Sequence, residues 1–531
     1  MKMKKHIPVM AVVVLAALLA VGVNVSPAAL SDIENLGKFV FFQNISDPPR
    51  MACATCHVPR AGWTYGVSGV NLHQVAVTGA NPHTKGGLKP PMSAYASFSP
   101  PFQVSPLPFP NFPSGFLGGV FWNGRSEGAD PQVFPNGATV PIGDEVFQDA
   151  GGAFIPGLKT AYGKYLGPLA EQAFNPFLNP VEQNQTQLGV CRTVASAAYA
   201  PLFEKVWKEP ITCEERLAVN YKRIAVSLAA YQSSPEVNSF SSRRDIALKR
   251  ELDGIDVDDT PGQFPLKGLT AQENLGHDLF YSTPANPLIV NGVPKITNCS
   301  LCHANNPPVI DLSTTPPTFT PGDTGVEPEQ TYSDNSYHVI GVPPNPEIPG
   351  FPVFNEGLKA HTGIDAHLAA QRSPSLRNVD KRPDADFVKA YTHNGWFKSL
   401  ESLVHFYNTA NVNGVTAASF GITECAEGIA TEVDALANNC WPKPEFPSAP
   451  LSAINIGLIG DMGLTLEEEA AIVAYLKTFT DTATPKKPQP YLESKPGRPQ
   501  ATGALTAGPA PSKPEAPLTA GSAPREKASG R

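Results

Sequence analysis

The chain contains the motif Cys53-Ala54-Thr55-Cys56-His57 and repeats its C-x-x-C-H spacing at Cys299-Ser300-Leu301-Cys302-His303. This spacing is the attachment signal of c-type haem. The two thiols of a motif lie about one helical turn apart, so both can bond to one porphyrin. The histidine that follows can bind the iron as its proximal ligand. Two copies in one chain therefore predict two covalently bound haem c groups.

The same cysteines have two other interpretations. They could form two C-x-x-C disulfides, but a disulfide across so short a loop is usually redox-active rather than structural. They could also bind zinc, but a structural zinc site needs a closed set of four ligands. We therefore favour the haem interpretation.

Composition limits the class of protein. The 531 residues suffice for two or three domains. A hydrophobic content of 41% supports real cores, and a net charge of −8 argues against nucleic acid as a partner. The 56 prolines predict long ordered loops between the helices rather than a dense helical bundle.

Four cysteines lie outside the two motifs, as one close pair in each half of the chain. The simplest pairing gives two local disulfides, Cys191–Cys213 and Cys425–Cys440. Such bonds persist in oxidising compartments, so they agree with an exported protein.

Both ends of the chain differ in composition from the middle. Residues 1–29 combine three early lysines, an apolar segment and small residues, which predicts a signal peptide and export to the periplasm or the cell surface. An uncleaved membrane anchor is the alternative. After this segment no stretch approaches the roughly 20 apolar residues of a membrane span. Residues 483–531 are rich in Pro and Ala, which predicts a disordered tail.

The order of sequence features repeats between the two halves. Glu34-Asn35-Leu36-Gly37 matches Glu273-Asn274-Leu275-Gly276, and each segment precedes a C-x-x-C-H motif. Lys89-Pro90-Pro91-Met92-Ser93 is echoed by Arg372-Ser373-Pro374-Ser375. We predict a mainly α fold of two tandem c-type cytochrome domains with long loops, residues 30–245 and 246–482.

Capping boxes predict where several helices begin. Ser31, Thr270 and Thr465 are each followed three residues later by Glu. A further amphipathic helix is predicted over residues 214–232, with apolar side chains at helical spacing. Residues 126–167 show no such pattern and are predicted to be a loop insertion.

The chain resembles the bacterial di-haem cytochrome c peroxidase and MauG family over most of residues 31–480. The resemblance does not cover the signal segment, the 126–167 insertion or the tail. It rests on the two haem motifs and on the stretches Leu36-Gly37-Lys38, Phe41-Phe42, Phe121-Trp122-Asn123-Gly124-Arg125, Glu171-Gln172-Ala173, Asn179-Pro180-Val181-Glu182, Pro374-Ser375-Leu376-Arg377-Asn378 and Tyr391-Thr392-His393-Asn394-Gly395.

The resemblance implies that the two haems have different roles. The first haem reacts with hydrogen peroxide, and the second exchanges electrons with a donor. Gln172 and Glu182 line the distal pocket of the first haem, with Pro176 between them. Glu182 is then the general acid and base of peroxide cleavage, a role that suits a carboxyl group in a dry pocket. Without the resemblance, Glu182 reads as a helix-capping or surface carboxylate.

Two further roles follow from the resemblance. Trp122 is expected to lie between the haems and to carry electrons from one to the other, although a tryptophan is more often plain core. Tyr407 stands fourteen residues after His393, where peroxidases of the family place a ligating methionine. MauG has a tyrosine ligand on its second haem, so Tyr407 is expected to bind iron here. The alternatives are His405 or Met462 as the ligand.

Two family features have weaker support in this sequence. In some of these peroxidases a loop histidine caps the first haem, and His73 or His83 could fill that role. A solvated loop histidine is the alternative for both. The interdomain calcium of the family lacks a clear set of side-chain oxygens here, because the expected asparagine is replaced near Pro90.

Three functions remain open at this point. The first is reduction of hydrogen peroxide with a small cytochrome c or a copper protein as electron donor. The second is MauG-like oxidation of side chains in a protein substrate. The third is electron transfer without catalysis. Glu182 and Gln172 argue against the simple carrier, and Tyr407 favours the second function.

Overall fold

The computed structural model describes residues 29–105, 115–134, 140–256, 262–303, 330–352, 354–410, 421–449 and 458–491, with the backbone of 309–311 and 318–320. The described residues up to Pro490 form one compact unit. The predicted signal peptide, apart from residue 29, and the predicted tail from residue 492 onwards lie outside the described residues.

The fold is mainly α, as predicted. The first half contains α1 (Asp32–Phe42), α2 (Cys53–Cys56), α3 (Ser68–His73), α4 (Leu158–Tyr162), α5 (Pro168–Phe174), α6 (Gln187–Ala195), α7 (Ala200–Trp207), α8 (Leu217–Gln232) and α9 (Arg243–Leu252). The second half contains α10 (Ala271–Phe280), α11 (Cys299–His303), α12 (Lys359–Thr362), α13 (Leu400–Thr409), α14 (Glu432–Ala437) and α15 (Leu466–Lys477). Within the described ranges, no helix is both long enough and apolar enough to cross a membrane.

The strands in the described residues are short and occur in pairs. Four pairs are antiparallel: β1 (Gln103–Val104) with β2 (Phe116–Leu117), β3 (Leu288–Val290) with β4 (Val293–Lys295), β5 (Val309–Asp311) with β6 (Thr318–Thr320), and β7 (Tyr337–His338) with β8 (Gln371–Arg372). The fifth pair, β9 (Thr423–Glu424) with β10 (Cys440–Trp441), is parallel. In the β7–β8 pair, Tyr337 lies opposite Arg372.

The predicted capping boxes are confirmed. Ser31, Thr270 and Thr465 cap α1, α10 and α15, each with the glutamate three residues later. Ser242 caps α9 in the same way with Asp245, and this capping box was not predicted from the sequence. Each box satisfies backbone N–H groups that the first helical turn leaves without a partner.

Each half is stabilised by one pair of packed helices, and the two pairs are built alike. Helix α1 packs on α8, and α10 packs on α15. A Cβ atom on Gly37 would lie 1.8 Å from the carbonyl oxygen of Ser227, and one on Gly276 would lie 2.0 Å from that of Ala471. Only glycine allows so close an approach, which explains why the same glycine stands in both copies of the repeated segment.

Buried polar groups join the two halves. Arg377 donates from Nη1 to Oδ2 of Asp245 at 2.5 Å, and both side chains are buried. Asp481 accepts from the hydroxyl of Tyr95 at 2.7 Å and from Nδ2 of Asn378 at 2.9 Å. The predicted boundary between residues 245 and 246 therefore falls inside α9, at a residue that bonds to the second half, and not in a linker.

Two other predictions concern covalent and local structure. Both disulfides form as predicted, Cys191–Cys213 and Cys425–Cys440. The 126–167 insertion is less loop-like than predicted, because it contains α4 and two short 3₁₀ turns. It is anchored at Glu127, whose Oε1 lies 2.9 Å from Nε2 of the buried His361.

Candidate active site

Each C-x-x-C-H motif lies in the wall of its own cavity. The first cavity has a volume of about 290 Å³ and is lined by Cys53, Cys56 and His57. The second has a volume of about 240 Å³ and is lined by Cys299, Cys302 and His303. The cysteines of each motif lie on one short helix, α2 or α11, so both thiols of a motif face the same space.

The two motif histidines are held in the same manner. Nδ1 of His57 lies 3.2 Å from the carbonyl oxygen of Trp63, and Nδ1 of His303 lies 3.1 Å from that of Tyr332. A hydrogen bond at Nδ1 fixes the ring and makes Nε2 the ligand atom. Burial lowers the pKa of both imidazoles and so favours the neutral form that binds metals. In each cavity the residues fit a haem.

The first cavity also contains the predicted catalytic residues. Helix α5 places Gln172 in its wall, and the segment after α5 adds Pro176 and Glu182. Glu182 is solvent-accessible where it faces the cavity, and its Oε1 accepts from Nδ2 of Asn179 at 2.6 Å. Desolvation by the surrounding protein raises the pKa of Glu182. The hydrogen bond from Asn179 and the charge of Arg125 act in the opposite direction.

Arg125 is a residue of this cavity to which the sequence analysis gave no role. Its guanidinium lies 3.7 Å from the centre of the Phe121 ring, and its Nη1 donates to Oδ1 of Asn123 at 3.3 Å. Its charge acts on the Glu182 carboxyl across the cavity. The motif at residues 121–125 already contains this arginine. Its distance from Glu182 in sequence gave no indication that both would line one cavity.

The second cavity has a different wall. Tyr407 on α13 and Met462 before α15 both line it, as does His393. His405 is not among the lining residues, since its Nδ1 lies 3.0 Å from Oε1 of Glu469. The structure therefore brings Tyr407 and its rival Met462 to the motif and leaves His405 elsewhere. Burial raises the pKa of Tyr407.

Trp122 lies in the wall of both cavities. Its Nε1 donates to the carbonyl oxygen of Lys89 at 3.0 Å, and its own carbonyl oxygen accepts from the backbone N–H of Arg372 at 2.8 Å. The side chain is only 9% exposed. These bonds fix the indole between the two motifs, each of which belongs to a different half.

The two candidate capping histidines are elsewhere. His73 ends α3, His83 lies in the following loop, and both are exposed. Neither is among the residues that line the first cavity. For a calcium ion, the described part of the chain contains no group of three or more His, Cys, Asp or Glu side chains able to hold a metal.

Comparison with known proteins agrees with this geometry. Residues 31–253 match the family model described as di-haem cytochrome c peroxidase. The resemblance predicted from the sequence is confirmed over these residues: the matched family is one of peroxidases, and it implies two haem cofactors. A search among curated proteins gives no match.

Solved di-haem peroxidases share the fold over both halves. The diheme peroxidase BthA of Burkholderia thailandensis is 23% identical, with 85% of this chain and 86% of that chain covered and a TM-score of 0.54. A tyrosine-to-methionine variant of it is 21% identical over 85% and 86%, with a TM-score of 0.53. A MauG-like protein associated with microbial copper homeostasis is 21% identical over 86% and 91%, with a TM-score of 0.47.

Proposed function

We propose that this di-haem peroxidase-family enzyme is exported to the periplasm and reduces hydrogen peroxide at the first cavity. The observation that carries the proposal is that Glu182 and Gln172 share one cavity with Cys53, Cys56 and His57. A simple electron carrier needs no carboxyl group beside an open haem face. The signal-like residues 1–29 and the two disulfides support export.

The motif residues hold the cofactors. Cys53 and Cys56 would form thioether bonds to one porphyrin, and Cys299 and Cys302 to the other. His57 and His303 would bind the irons. When bound, the haems supply the redox chemistry by which peroxide, two electrons and two protons become two water molecules.

Glu182 moves the proton in this reaction. Its ionised carboxylate would take a proton from one peroxide oxygen and deliver it to the other, which leaves as water. Gln172 orients the peroxide by hydrogen bonding. Arg125 stabilises negative charge that develops on the departing oxygen, because a guanidinium stays charged at every working pH.

Trp122 carries electrons between the two cavities, and a small cytochrome c or copper protein supplies them at the second. The indole of Trp122 faces both cavities and can be oxidised. Its two hydrogen bonds, to Lys89 and Arg372, keep its position constant during turnover.

A second candidate function is MauG-like oxidation of a protein substrate. The observation that favours it is Tyr407 in the wall of the second cavity. A phenolate ligand donates charge and stabilises ferric and higher oxidation states, so that haem could store an oxidising equivalent. Met462 in the same wall is the alternative ligand and favours the first function.

The variant Glu182→Gln tests the main proposal. It should keep both haems, as measured by mass spectrometry after acid-acetone extraction. Its reaction with peroxide in stopped flow should slow by about 10²–10⁴-fold, the usual cost of losing one acid–base group. Glu204→Gln is the matched control, because Glu204 is an exposed carboxylate on α7 of the same half.

A Glu182→Gln variant that reacts at the parent rate would return Glu182 to a surface role. Loss of either haem on extraction would overturn covalent attachment. Electron paramagnetic resonance of the resting ferric protein should show one haem with an open site. Two closed sites would favour the plain electron carrier.

A further inference from the structure

Two cations stand on the wall that the cavities share. Lys89 and Arg372 each line both cavities, and each is hydrogen-bonded to Trp122. They occupy equivalent positions in the two repeated segments that begin at residues 89 and 372. Lys89 bonds the indole through its carbonyl oxygen, and Arg372 bonds the carbonyl oxygen of Trp122 through its N–H. The duplication thus brings the same type of charge to the junction twice.

Lys89 lacks a carboxylate partner among the residues that the structure describes. Its Nζ donates to the carbonyl oxygen of Pro90 at 3.4 Å, a long and neutral bond. Burial alone lowers the pKa of Lys89 to about 8. A desolvated ammonium group without a counter-charge is unfavourable.

Arg372 is in a similar environment. Its Nη1 donates to the neutral Oδ1 of Asn335 at 2.9 Å. Burial lowers the pKa of Arg372, and Tyr337 and Asp334 oppose that effect in part. The Asp334 carboxylate is already engaged, since Oδ2 accepts from Ser336 at 2.5 Å and lies 3.0 Å from Nε2 of His338.

A third basic residue, Lys389, is buried beside this junction. Nζ of Lys389 donates to the carbonyl oxygens of Ala61, Asn378 and Lys381 at 3.0, 2.8 and 3.0 Å. Burial lowers the pKa of Lys389, and the charge of Lys89 lowers it further. The carboxylates that line the cavities are held by other groups, Glu182 by Asn179 and Glu445 by His393. The carboxylates near the junction therefore leave Lys89 and Arg372 available to pair with an incoming anion.

We propose that Lys89 and Arg372 form one carboxylate-binding site shared by both cavities, and that its ligands are the propionate groups of the two porphyrins. Haem propionates are the anions that must enter these cavities with the cofactor. An arginine fork suits a carboxylate in two-point contact, and a lysine suits it as a point charge. The inference rests on two bound haems and not on the peroxide reaction.

A shared site has a consequence that separate sites lack. Each cation offsets charge near both irons, so its removal leaves negative charge uncompensated on both sides. Uncompensated negative charge stabilises Fe(III) and lowers a haem's reduction potential. Removing one side chain should therefore lower both potentials, although the two haems belong to different halves of the chain.

Spectroelectrochemical titration without peroxide tests this. Lys89→Met should lower the midpoint potential of each haem by the equivalent of about a tenfold change in the ferric-to-ferrous ratio, about 59 mV for one electron. Arg372→Met should do the same, and Lys89→Arg should stay near the parent values. Lys381→Met is the matched control, because Lys381 is a buried cation that bonds to Ala483 and lines neither cavity.

The outcomes separate the alternatives. A potential shift at one haem only, or equal shifts in Lys89→Met and Lys381→Met, would overturn the shared site. If Lys89→Met fails to retain both haems, Lys89→Gln and Arg372→Met decide in the same titration. Because no peroxide is present, a protein without peroxidase activity can still show the coupled shift, so the two proposals fail independently.

Discussion

The two halves of the molecule share a scaffold and differ in what faces the haem motif. In both, a capped helix carries a glycine that touches the backbone of a long partner helix, and a carbonyl oxygen holds Nδ1 of the motif histidine. Across the first cavity stand Glu182 and Arg125, whereas Tyr407 and Met462 stand across the second.

This difference teaches where specialisation occurs after duplication. The attachment motif and the helix pair cannot change without loss of the cofactor or the fold. The opposite wall comes from loops and from α5 or α13, and it can change without disturbing the scaffold.

The largest expected effect is on stability and comes from disrupting the helix pair that both halves share. Gly37→Val and Gly276→Val each force a side chain against a backbone carbonyl of the partner helix. We expect each to lower the free energy of unfolding by about 3 kcal/mol or more, because neither backbone can move away easily. Chemical denaturation measures this.

Gly69→Val is the control for these variants, because a Cβ on Gly69 in α3 meets no atom within 4 Å. Its free energy of unfolding should stay near the parent value, because valine is no worse a helix former than glycine and meets no neighbour here. If Gly37→Val unfolds at the parent midpoint while Gly276→Val does not, the two helix pairs are not equivalent.

The next effect concerns the first cavity only. Arg125→Met should slow the reaction with peroxide by about 10²-fold, as removal of one transition-state donor does. The rate should rise with pH as Glu182 ionises, because only the carboxylate can accept a proton. The Arg125 charge lowers the pKa of Glu182, so without it the acidic limb should move to higher pH.

Stopped-flow rates between pH 4 and pH 8 on parent, Arg125→Met and Arg125→Lys give both readouts, and Arg125→Lys should keep part of the rate. A slower variant with an unmoved acidic limb would mean that Arg125 acts on the structure of the cavity and not on Glu182.

Local chemistry made much of this molecule predictable. The capping boxes of Ser31, Thr270 and Thr465 and both disulfides depend on residues close in sequence, and each is found where predicted. The helix predicted over 214–232 begins later, at Leu217, since helix ends depend on tertiary contacts.

The sequence could not reveal which residues come together from distant parts of the chain. Arg125 shares a cavity with Glu182, Arg377 pairs with Asp245, and Lys89 and Arg372 share a wall only once both halves are folded. His73 was at a compatible distance in sequence, yet α3 leaves it exposed. A compatible distance in sequence allows two groups to come together but does not predict that they do.

A smaller effect would sharpen the contrast at the second cavity. Tyr407→Met should raise the potential of the second haem, because a thioether donates less charge than a phenolate and favours Fe(III) less. It should leave peroxide binding at the first haem largely intact. Spectroelectrochemistry measures the shift, with Met462→Leu as the control for the rival ligand.

If the parent protein already shows the near-infrared sulfur-to-iron band of a methionine-ligated ferric haem, Tyr407 is not the ligand. Loss of that band in Met462→Leu would then assign Met462 and favour the plain peroxidase.

The smallest expected contrast lies in the disulfides. Removing Cys191–Cys213 or Cys425–Cys440 by double alanine substitution should cost about 3 kcal/mol each in the loop-entropy account. Their sequence separations of 22 and 15 residues predict a difference of only a few tenths of a kcal/mol. Thermal unfolding of both double variants measures it, and a large difference would show native strain or residual structure in one half.

The buried pair between Arg377 and Asp245 has a consequence for the speed of electron flow. Electron tunnelling falls off exponentially with the separation of the redox centres, so small changes in spacing alter its rate strongly. Breaking a buried pair by removing one partner is costly, and this one joins the last part of the first half to the second. The pair thereby helps to hold the two halves, and the haems that they would carry, at one spacing.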